Sequence, residues 1–375
     1  MKTFGIFLTE SSKKNLHIEH LEDEVFNRGV AGASSSISFL NGFNSLLEGS
    51  GGPTVKASVK WDGSPSIVCG PHPKTGRFFI GTKSVFNTTI PKINYSEADI
   101  CENHGDKPDL AERLCVAFRE LAKLSLTEVV QGDLLFVEQD LKPQTHNGQT
   151  HITFKPNTIT YSIPTNTTLG EAVSNAKIGV SFHTSYSGLD IDSLIPSYGV
   201  QLESSIPSII IFNHTLSPKS TLQVEGQNTS NLIESFNSLD QDFLKTISNT
   251  TVMQRAIKRY INSKVALGES VSATDSYITE FYQFIENNHK NLLGYFLEHR
   301  SALHKTFVFV EQLISTKNKL LHCVSHKDNI TMFIESESGF KQTDIEGVVL
   351  SDNSGNVVKA VNRLEFSHHN FKGRQ

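Results

Sequence analysis

The chain has 375 residues, a formal net charge of −5, 37% hydrophobic residues and 19% charged residues. This composition is typical of a soluble globular protein, and the length allows two domains or one large domain with an insertion. No apolar run reaches the roughly 18 residues that a membrane helix needs, and the N-terminal apolar stretch is too short for a signal peptide. The negative charge excludes a generally basic nucleic-acid binder, so any contact with a polyanion requires a local basic patch.

Cysteine and histidine give no metal-binding pattern. The four cysteines contain no C-x-x-C pair, so we expect reduced thiols, no zinc site and a cytoplasmic setting. The histidine pairs lack acidic residues at ligand spacing, and we interpret them as surface residues. These residues are Cys69, Cys101, Cys115 and Cys323, with the pairs His17/His20, His146/His151 and His368/His369.

The first half of the chain is predicted to be β-sheet with a few helices. Apolar residues at helical spacing predict a helix over 36–47, which the Gly-rich segment 49–53 ends. A second amphipathic helix is predicted over 109–126. Strands follow from alternation or from short apolar runs. They are predicted over 55–60, 66–70, 76–83, 129–136, 152–154 and 158–164.

In the second half of the chain, the spacing of apolar residues changes twice. Helical spacing runs from about 230 to 325, and β patterns return over 344–350 and 356–361, joined by a turn at 351–355. The fold class is therefore α+β, with a β-rich domain interrupted by helices. We expect residues 1–170 and 335–375 to form that split domain and 171–334 to form a mainly helical insertion.

A lysine at the end of a predicted strand is the first candidate for chemistry. Lys60 closes the segment 55–60 and precedes Trp61, Asp62 and Gly63, where Asp-Gly predicts a sharp turn. Partial burial of such a lysine disfavours its ammonium form and leaves free amine as a nucleophile. Taken alone, the pattern equally fits an ordinary hairpin turn that arose by chance.

Further along, charged residues interrupt apolar strands. Asp133 lies within 129–136, Glu346 precedes a run of valines, and Lys359 lies within 357–361. Burying a charge is costly unless it is paired or bound to a charged ligand. One such residue is usually a structural ion pair, whereas several after a K-x-D-G indicate a site for a polyphosphate and a metal.

The order of these segments resembles the covalent nucleotidyltransferase superfamily, which contains ATP-dependent RNA and DNA ligases and mRNA capping enzymes. The segment 79–87 is also similar to tailed-phage members of that superfamily. The resemblance covers about 15–165 and 340–370. Its motifs are 60–63 (nucleophile), 132–134 (third motif), 159–163 (the following strand), 346–349 (fourth motif) and 357–361 (fifth motif).

Two positions depart from the family pattern. Asp133 stands where the family usually has Glu. The fifth motif normally has two lysines one residue apart, and here Lys359 stands between Val357 and Val361. One phosphate contact of the family is therefore left open.

The resemblance implies an antiparallel-sheet, ligase-type adenylation domain and a covalent mechanism. The amine of Lys60 would attack the α-phosphate of ATP or GTP, expel pyrophosphate and form a lysyl–nucleotide intermediate. The other implied roles are phosphate neutralisation by Lys83 and Lys359, binding of Mg²⁺ or Mn²⁺ by Asp133 and Glu346, orientation of the lysine or of a metal-bound water by Asp62, nucleotide contact at Gly63, and stacking of Tyr161 on the base.

The resemblance also implies an acceptor for the nucleotide. In ligases the acceptor is a 5′-phosphate, which a 3′-hydroxyl then attacks. The twelve residues after Arg363 (375 − 363) are too few for the β-barrel domain that DNA ligases and capping enzymes carry there. We therefore expect a phage-derived enzyme of the RNA-ligase type in the host cytoplasm, with RNA or DNA ends as acceptor.

Two alternatives stay open. One is transfer of AMP or GMP to an end or to a protein without ligation, and the other is a catalytically inactive nucleotide-binding phage protein. A cluster of basic residues in the helical segment is either a solvated helix face or a docking surface for phosphates. Its members are Arg255, Lys258, Arg259 and Lys264.

Overall fold

The computed structural model describes residues 18–49, 55–146, 148–214, 216–218, 230–326, 330–336 and 339–367. Their contacts divide the chain into two compact units. Unit 1 contains the described residues of 61–214 and 330–343, and unit 2 contains those of 18–60, 216–326 and 344–367. Helices and antiparallel strands occur in each unit, which confirms the predicted α+β class.

The elements are numbered in chain order. The strands are β1 (Val55–Lys60), β2 (Ser66–Pro71), β3 (Phe78–Gly81), β4 (Val129–Val137), β5 (Lys142–His146), β6 (Gln149–Phe154), β7 (Ile159–Pro164), β8 (Ile178–Ser187), β9 (Ile195–Tyr198), β10 (Ile209–Ile211), β11 (Leu216–Pro218), β12 (Val324–His326), β13 (Thr331–Ser336), β14 (Gly339–Thr343), β15 (Gly347–Asp352) and β16 (Val357–Val361). The α-helices are α1 (Glu24–Arg28), α2 (Val30–Glu48), α3 (Glu97–His104), α4 (Pro108–Leu121), α5 (Thr168–Asn175), α6 (Ser230–Asn237), α7 (Gln241–Ser248), α8 (Thr251–Ala266), α9 (Asp275–Asn288), α10 (Lys290–Glu298) and α11 (Arg300–His322). Among these helices, none combines the length and the apolar character that crossing a bilayer requires.

The unit boundaries differ from the expected domain boundaries. Strands β8, β9 and β10 lie within the predicted insertion 171–334, but they belong to the main sheet of unit 1. Helices α6 to α11 share unit 2 with β1, β15 and β16, the strands that carry Lys60 and Lys359. The helical segment is therefore part of the compact unit that contains the candidate nucleophile.

Local sequence explains why α2 forms and where it ends. Ile37, Leu40, Phe43 and Leu47 recur at helical spacing and are buried on one face. Gly49 then adopts the left-handed conformation (φ 66°), and its N–H donates to the carbonyl of Leu46. This is a common helix stop, because glycine adopts positive φ without steric cost.

Unit 1 contains two sheets. The first has the strand order β10–β8–β4–β2–β3, with β9 also paired to β8, and its pairings are antiparallel except the one between β10 and β8. The second has the order β14–β13–β7–β6–β5 and is antiparallel. Helix α4 packs against the first sheet through residues such as Leu114 and Leu121, which face Val130 and Val180 in one apolar core.

Unit 2 is organised around the three-stranded antiparallel sheet β1–β15–β16. Helix α2 packs against β1 and β15, and α11 packs against β16. Val59, Val348 and Ala360 lie opposite one another across the three strands and are fully buried. One face of this sheet is therefore core, and the other face is left for polar residues.

Candidate functional site

The sheet of unit 2 brings two distant lysines onto one face. Lys60 is paired with Gly347, and two residues earlier Ser58 lies opposite Val349, which in turn lies opposite Lys359. Directly opposed residues share a face, and so do residues two apart on a strand. Lys60 and Lys359 therefore project from the face opposite the apolar core.

Glu346 completes this group. The Nζ atom of Lys60 lies 2.5 Å from Oε2 of Glu346, although the two residues are 286 positions apart in sequence. The Lys60 side chain is 30% exposed, whereas that of Glu346 is 8% exposed. An almost buried carboxylate bonded to the ammonium holds the lysine tip in one place, while the lysine remains accessible from solvent.

Glycine at position 347 is a geometric requirement for this arrangement. A Cβ atom there would lie 2.2 Å from the carbonyl oxygen of Ala360 and 2.8 Å from the Cα of Val361. Both contacts are with backbone atoms of β16, which cannot move aside as a flexible side chain can. The Glu-Gly pair thus allows β15 to lie close to β16 and sets the carboxylate of Glu346 beside Lys60.

Lys359 carries an ammonium in an unfavourable environment. Burial lowers the pKa of Lys359, and the charge of Lys60 lowers it further. Its backbone N–H donates to the carbonyl of Glu19 at 2.9 Å, and His20 forms a parallel bridge with it. An anion bound between the two lysines would offset both the burial and the repulsion.

His20 adds a polar atom to the same neighbourhood, and it corrects the expectation of a surface histidine. The ring is partly exposed, but its Nδ1 atom is buried and has no hydrogen-bond partner among the described residues. Burial lowers the pKa of His20 well below its ordinary value, as do the charges of Arg363 and Lys359. Burial and these charges therefore favour the neutral imidazole, whose Nδ1 atom is enclosed. Of the other predicted surface histidines, His151 bonds Ser162, whereas His17, His368, His369 and the side chain of His146 lie outside the described residues.

A buried cluster of ion pairs lies next to Lys359 and His20 in sequence. Both carboxylate oxygens of Glu22 accept hydrogen bonds from Nζ of Lys317 at 2.8 Å, and both side chains are 1% exposed. Arg363, two residues after β16, donates to Asp23 at 3.0 Å and also to Asn262. These contacts fix the chain on both sides of Lys359, because Glu22 and Asp23 follow the Glu19–His20 segment.

In unit 1, Asp62 is a structural anchor. Its carboxylate accepts hydrogen bonds from the side chain of Asn157 and from the backbone N–H groups of Thr158 and Ile159, at 2.8 to 2.9 Å. Asp62 is 5% exposed, and its own N–H donates to the hydroxyl of Tyr161. These contacts correct the expectation that Asp62 orients the lysine or a metal-bound water, since they use the carboxylate to hold the turn against β7.

Tyr161 is also placed differently from the expectation. It is 1% exposed, and its ring stacks on Phe154 at 5.3 Å and contacts Trp61 at 5.2 Å. A ring enclosed by other aromatic side chains has no face to offer a base. Tyr161 therefore positions Trp61 and Asp62, and its predicted role as a stacking platform is wrong.

Asp133 lies in the middle of the first sheet of unit 1 beside a histidine. It is paired with Ser66 on one side and Ser181 on the other, and its carboxylate lies 4.0 Å from Nε2 of His183. The register of β4 and β8 shifts at this point, which leaves His183 as the extra residue of a β-bulge. The His183 ring stacks on Tyr198 at 6.0 Å. Sequence reasoning missed His183, because a bulge exists only once the two strands are paired.

Gly63 allows the chain to approach Asp133. A Cβ atom at position 63 would lie 2.5 Å from the Cβ of Asp133, and the next residue donates its N–H to the carbonyl of Leu134. Lys83 begins a short 3₁₀-helix, Lys83–Phe86, and its side chain is exposed. Gly63 and Asp133 therefore lie close together in unit 1.

Lys264 does not belong to the predicted basic surface. Helix α8 buries Ile257 and Tyr260, and Lys264 continues the same face, where it is 6% exposed. Its ammonium is paired with the carboxylates of Glu269 and Glu280. This lysine is neutralised inside unit 2, so it is not part of a phosphate-binding surface.

Lys258 is likewise committed to internal contacts. Its ammonium donates to Glu19 at 2.8 Å and to Asn27 at 3.3 Å. Arg255 and Arg259 on the same helix are exposed. The predicted four-cation docking surface is therefore reduced to these two arginines.

The structure brings part of the predicted site together in unit 2, namely Lys60, Glu346 and Lys359. The remaining predicted residues lie in unit 1: Asp62, Gly63, Lys83, Asp133 and Tyr161. Among the described residues, no group of three or more His, Cys, Asp or Glu is arranged to hold a metal by itself. Mg²⁺ usually binds through one or two carboxylates together with substrate phosphates and water. Glu346 is therefore a suitable ligand for a Mg²⁺ that arrives with a nucleotide.

Comparison with known proteins gives one result that covers both units. A model of a protein family described as a family of unknown function, DUF6267, matches residues 15–375. The chain belongs to the DUF6267 family. No curated protein and no solved structure matches it. For this member of DUF6267, the functional argument therefore depends on its own residues and their geometry.

Proposed function

We propose that this DUF6267 protein is a polynucleotide ligase of the RNA-ligase type that acts through a covalent lysyl–AMP intermediate on Lys60. The observation that carries the proposal is the pair Lys60 and Lys359 on one face of a sheet, with Glu346 bonded to Lys60. A solvent-accessible lysine, held by one nearly buried carboxylate beside a second lysine, suits attack on a phosphate that bears negative charge.

The first step has a simple atomic balance. The Lys60 ammonium first gives up one proton to solvent. The neutral amine then attacks the α-phosphorus of ATP, an N–P bond forms, and the P–O bond to the β-phosphate breaks. Pyrophosphate leaves with the proton released by the amine, and AMP remains joined to Lys60 as a phosphoramidate. Lys359 neutralises charge on the phosphates, which is the main requirement of a phosphoryl-type transfer.

Glu346 has two roles in this proposal. In the absence of nucleotide it bonds the Lys60 ammonium and keeps its tip at a fixed point. Mg²⁺, or Mn²⁺, supplies further neutralisation of the phosphates when bound, and Glu346 is the carboxylate in unit 2 that would hold it. Asp133 and Lys83 lie in unit 1, and their predicted contacts with the nucleotide are not part of this proposal.

The second step transfers AMP to the acceptor. A 5′-phosphate oxygen attacks the phosphorus of lysyl–AMP and the N–P bond breaks. The departing nitrogen takes up a proton from solvent, which regenerates the amine of Lys60. Attack by a 3′-hydroxyl on the activated end then forms the phosphodiester and releases AMP. Transfer without sealing, to an end or to a protein, is the competing outcome that the acceptor assay separates.

The test is covalent labelling with α-³²P-ATP and Mg²⁺, with one half of each sample then treated with acid. The untreated wild-type protein should carry label that acid releases, and Lys60→Arg should carry none, because a guanidinium keeps the charge beside Glu346 but stays protonated and cannot attack. Lys56→Arg is a matched control, since Lys56 is an exposed lysine four residues earlier on the same strand and face. Equal labelling of Lys60→Arg and wild type, or no label with either ATP or GTP, would refute the proposal. If label forms, nicked RNA, nicked DNA and single-stranded RNA are compared as acceptors.

A further inference from the structure

Two of the four cysteines lie opposite each other in a helical hairpin of unit 1. Helices α3 and α4 pack against each other and are joined by residues 105–107, so they run antiparallel. At one level of this hairpin, Nη1 of Arg119 lies 3.0 Å from Oε2 of Glu97. Cys101 and Cys115 each lie one helical turn closer to the connection than these two residues. Because residues four apart share a helix face, the two cysteines face each other as well.

The contact between the two thiols agrees with this placement. The thiol of Cys101 is a hydrogen-bond partner of Cys115. The next level of the hairpin holds Gly105 and Ala111, so no large side chain keeps the helices apart there. A disulfide requires Cα atoms about 4.4–6.8 Å apart, and small facing residues on packed helices allow that approach.

The pair lies at the outer edge of the contact between the two helices. Cys101 is exposed and Cys115 is half-buried, whereas their neighbours Ile100 and Leu114 are fully buried in the apolar core. A reagent in solvent therefore reaches Cys101 first. Cys115 is placed to react with Cys101 from within the hairpin.

The other two cysteines have different surroundings. Cys69 is fully buried, and burial raises the pKa of its thiol, which makes it unreactive. Cys323 lies in unit 2, where its thiol donates to the carbonyl of Lys319 at 3.4 Å. Cys323 therefore serves as a control thiol that is half-buried but lies outside the hairpin.

We propose that Cys101 and Cys115, free thiols in this structure, are a reversible thiol–disulfide site that reacts with low-molecular-weight disulfides of the glutathione class. The Cys101 thiol loses its proton to solvent, and the thiolate attacks one sulfur of the small disulfide. A mixed disulfide forms, and the departing small thiolate takes up a proton. Cys115 then loses its proton and attacks the Cys101 sulfur, which expels the second small thiol. Two protein thiols are thereby oxidised to one disulfide, and the small disulfide is reduced to two thiols.

The two steps differ in rate because the thiols differ in environment. Burial raises the pKa of the Cys115 thiol, as do Glu97 and Cys101, and Arg119 opposes this effect. Since the thiolate is the nucleophile, a raised pKa slows the second step at neutral pH. The reaction does not involve Lys60 or a nucleotide, so it is measured without any adenylation step.

The test incubates the reduced full-length protein with oxidised glutathione at about pH 8.5, where thiols ionise. Acid stops the reaction, free thiols are alkylated, and trypsin cleaves after Arg113, between the two cysteines. Only a disulfide keeps their peptides joined, and these joined peptides should be the main oxidised product of the wild type. Cys115→Ser should stop at a glutathione adduct on Cys101. Cys323→Ser is the matched control and should react as the wild type does.

The folded hairpin should accelerate the internal bond. Joined peptides should form at least about tenfold faster from the folded protein than from the chain unfolded in urea, because folding orients the two sulfurs. The bond closes a loop of about 15 residues, so oxidation should raise the Tm of the wild type by about 6–12 °C. Dithiothreitol should reverse this rise, and Cys115→Ser should show none.

Three results would overturn the proposal. Equal rates from folded and unfolded chains would show that the hairpin does not bring the thiols together. A lasting glutathione adduct on Cys101 of the wild type, without the internal bond, would show that Cys115 cannot reach it. A lower Tm after oxidation would show that the bond distorts the hairpin.

Discussion

Replacing Lys317 by Met should destabilise unit 2 by leaving a buried carboxylate without its main partner. Lys317 and Glu22 are both 1% exposed, and two hydrogen bonds of 2.8 Å join them. Removing one member of such a pair usually costs about 3–5 kcal/mol, because the other charge stays buried. Arg363 remains 3.5 Å from Glu22 and compensates in part, so we expect the lower end, about 3 kcal/mol.

The assay is thermal and urea unfolding of the full chain at neutral pH. A loss of about 3 kcal/mol corresponds to a fall in Tm of about 6–12 °C for a unit of this size. Lys305→Met is the matched control, since Lys305 is an exposed lysine on the same helix, α11. We expect it to change the free energy of unfolding by no more than about 0.5 kcal/mol. The Glu22→Gln/Lys317→Met double variant should be more stable than the sum of the single changes predicts, by about 2 kcal/mol. Additive losses would show that the pair contributes no coupling energy and would refute the reasoning.

The same cluster predicts a pH dependence. Burial alone would raise the pKa of Glu22, but the charges of Lys317 and Arg363 together lower it below the ordinary carboxyl value. A carboxyl with a lowered folded-state pKa contributes stability that is present above the unfolded pKa and is lost as the pH falls through the folded pKa. Glu22→Gln should therefore lose less stability than the wild type between about pH 5 and pH 3. An identical acid profile of the two proteins would contradict this assignment.

Four further substitutions test individual placements. Gly63→Ala should cost about 1–3 kcal/mol, because the added Cβ would lie 2.5 Å from that of Asp133, whereas Gly294→Ala in helix α10 meets no atom within 4 Å and should stabilise the protein by about 0.5–1 kcal/mol. Asp62→Ala should cost about 3 kcal/mol, since three donors lose a charged acceptor, and an unchanged Tm would argue against its anchoring role. Lys359→Met should raise Tm slightly while slowing ³²P labelling, because burial and Lys60 already lower the pKa of that ammonium; a faster labelling rate would contradict its phosphate role.

Local periodicity predicted most of the elements around the site. The helix over 36–47 lies within α2, and the predicted β pattern after residue 344 is the observed hairpin of β15 and β16. For two residues whose roles were predicted wrongly, the sequence already indicated a buried position. Tyr161 alternates with Thr160 and Ser162, so its strand already indicated the buried face. Lys264 follows Tyr260 at a spacing of four, which places it on the apolar face of α8.

Other features depended on the pairing of distant segments. Ile178, Val180 and Phe182 of β8 alternate with small or polar residues, so a strand was readable there, but its place between β10 and β4 was not. The bulge at His183 and the approach of Gly63 to Asp133 depend on which strand lies next to which. The carboxylate of Asp62 can accept hydrogen bonds from Asn157, Thr158 and Ile159 only when the turn lies against the start of β7.

The sequence by itself determined the α+β class, the order of the motifs and the choice of Lys60, Glu346 and Lys359 as candidates. It could do so because helical and strand periodicity, turn residues and isolated charges in apolar strands are local properties of the chain. Only the tertiary structure decided which of these charges meet. Strand pairing between residues almost three hundred positions apart set Lys60 beside Glu346, and burial assigned Asp62, Tyr161 and Lys264 to structural roles. Whether a charge is available for chemistry depends on its partners, and those partners are supplied by distant parts of the chain.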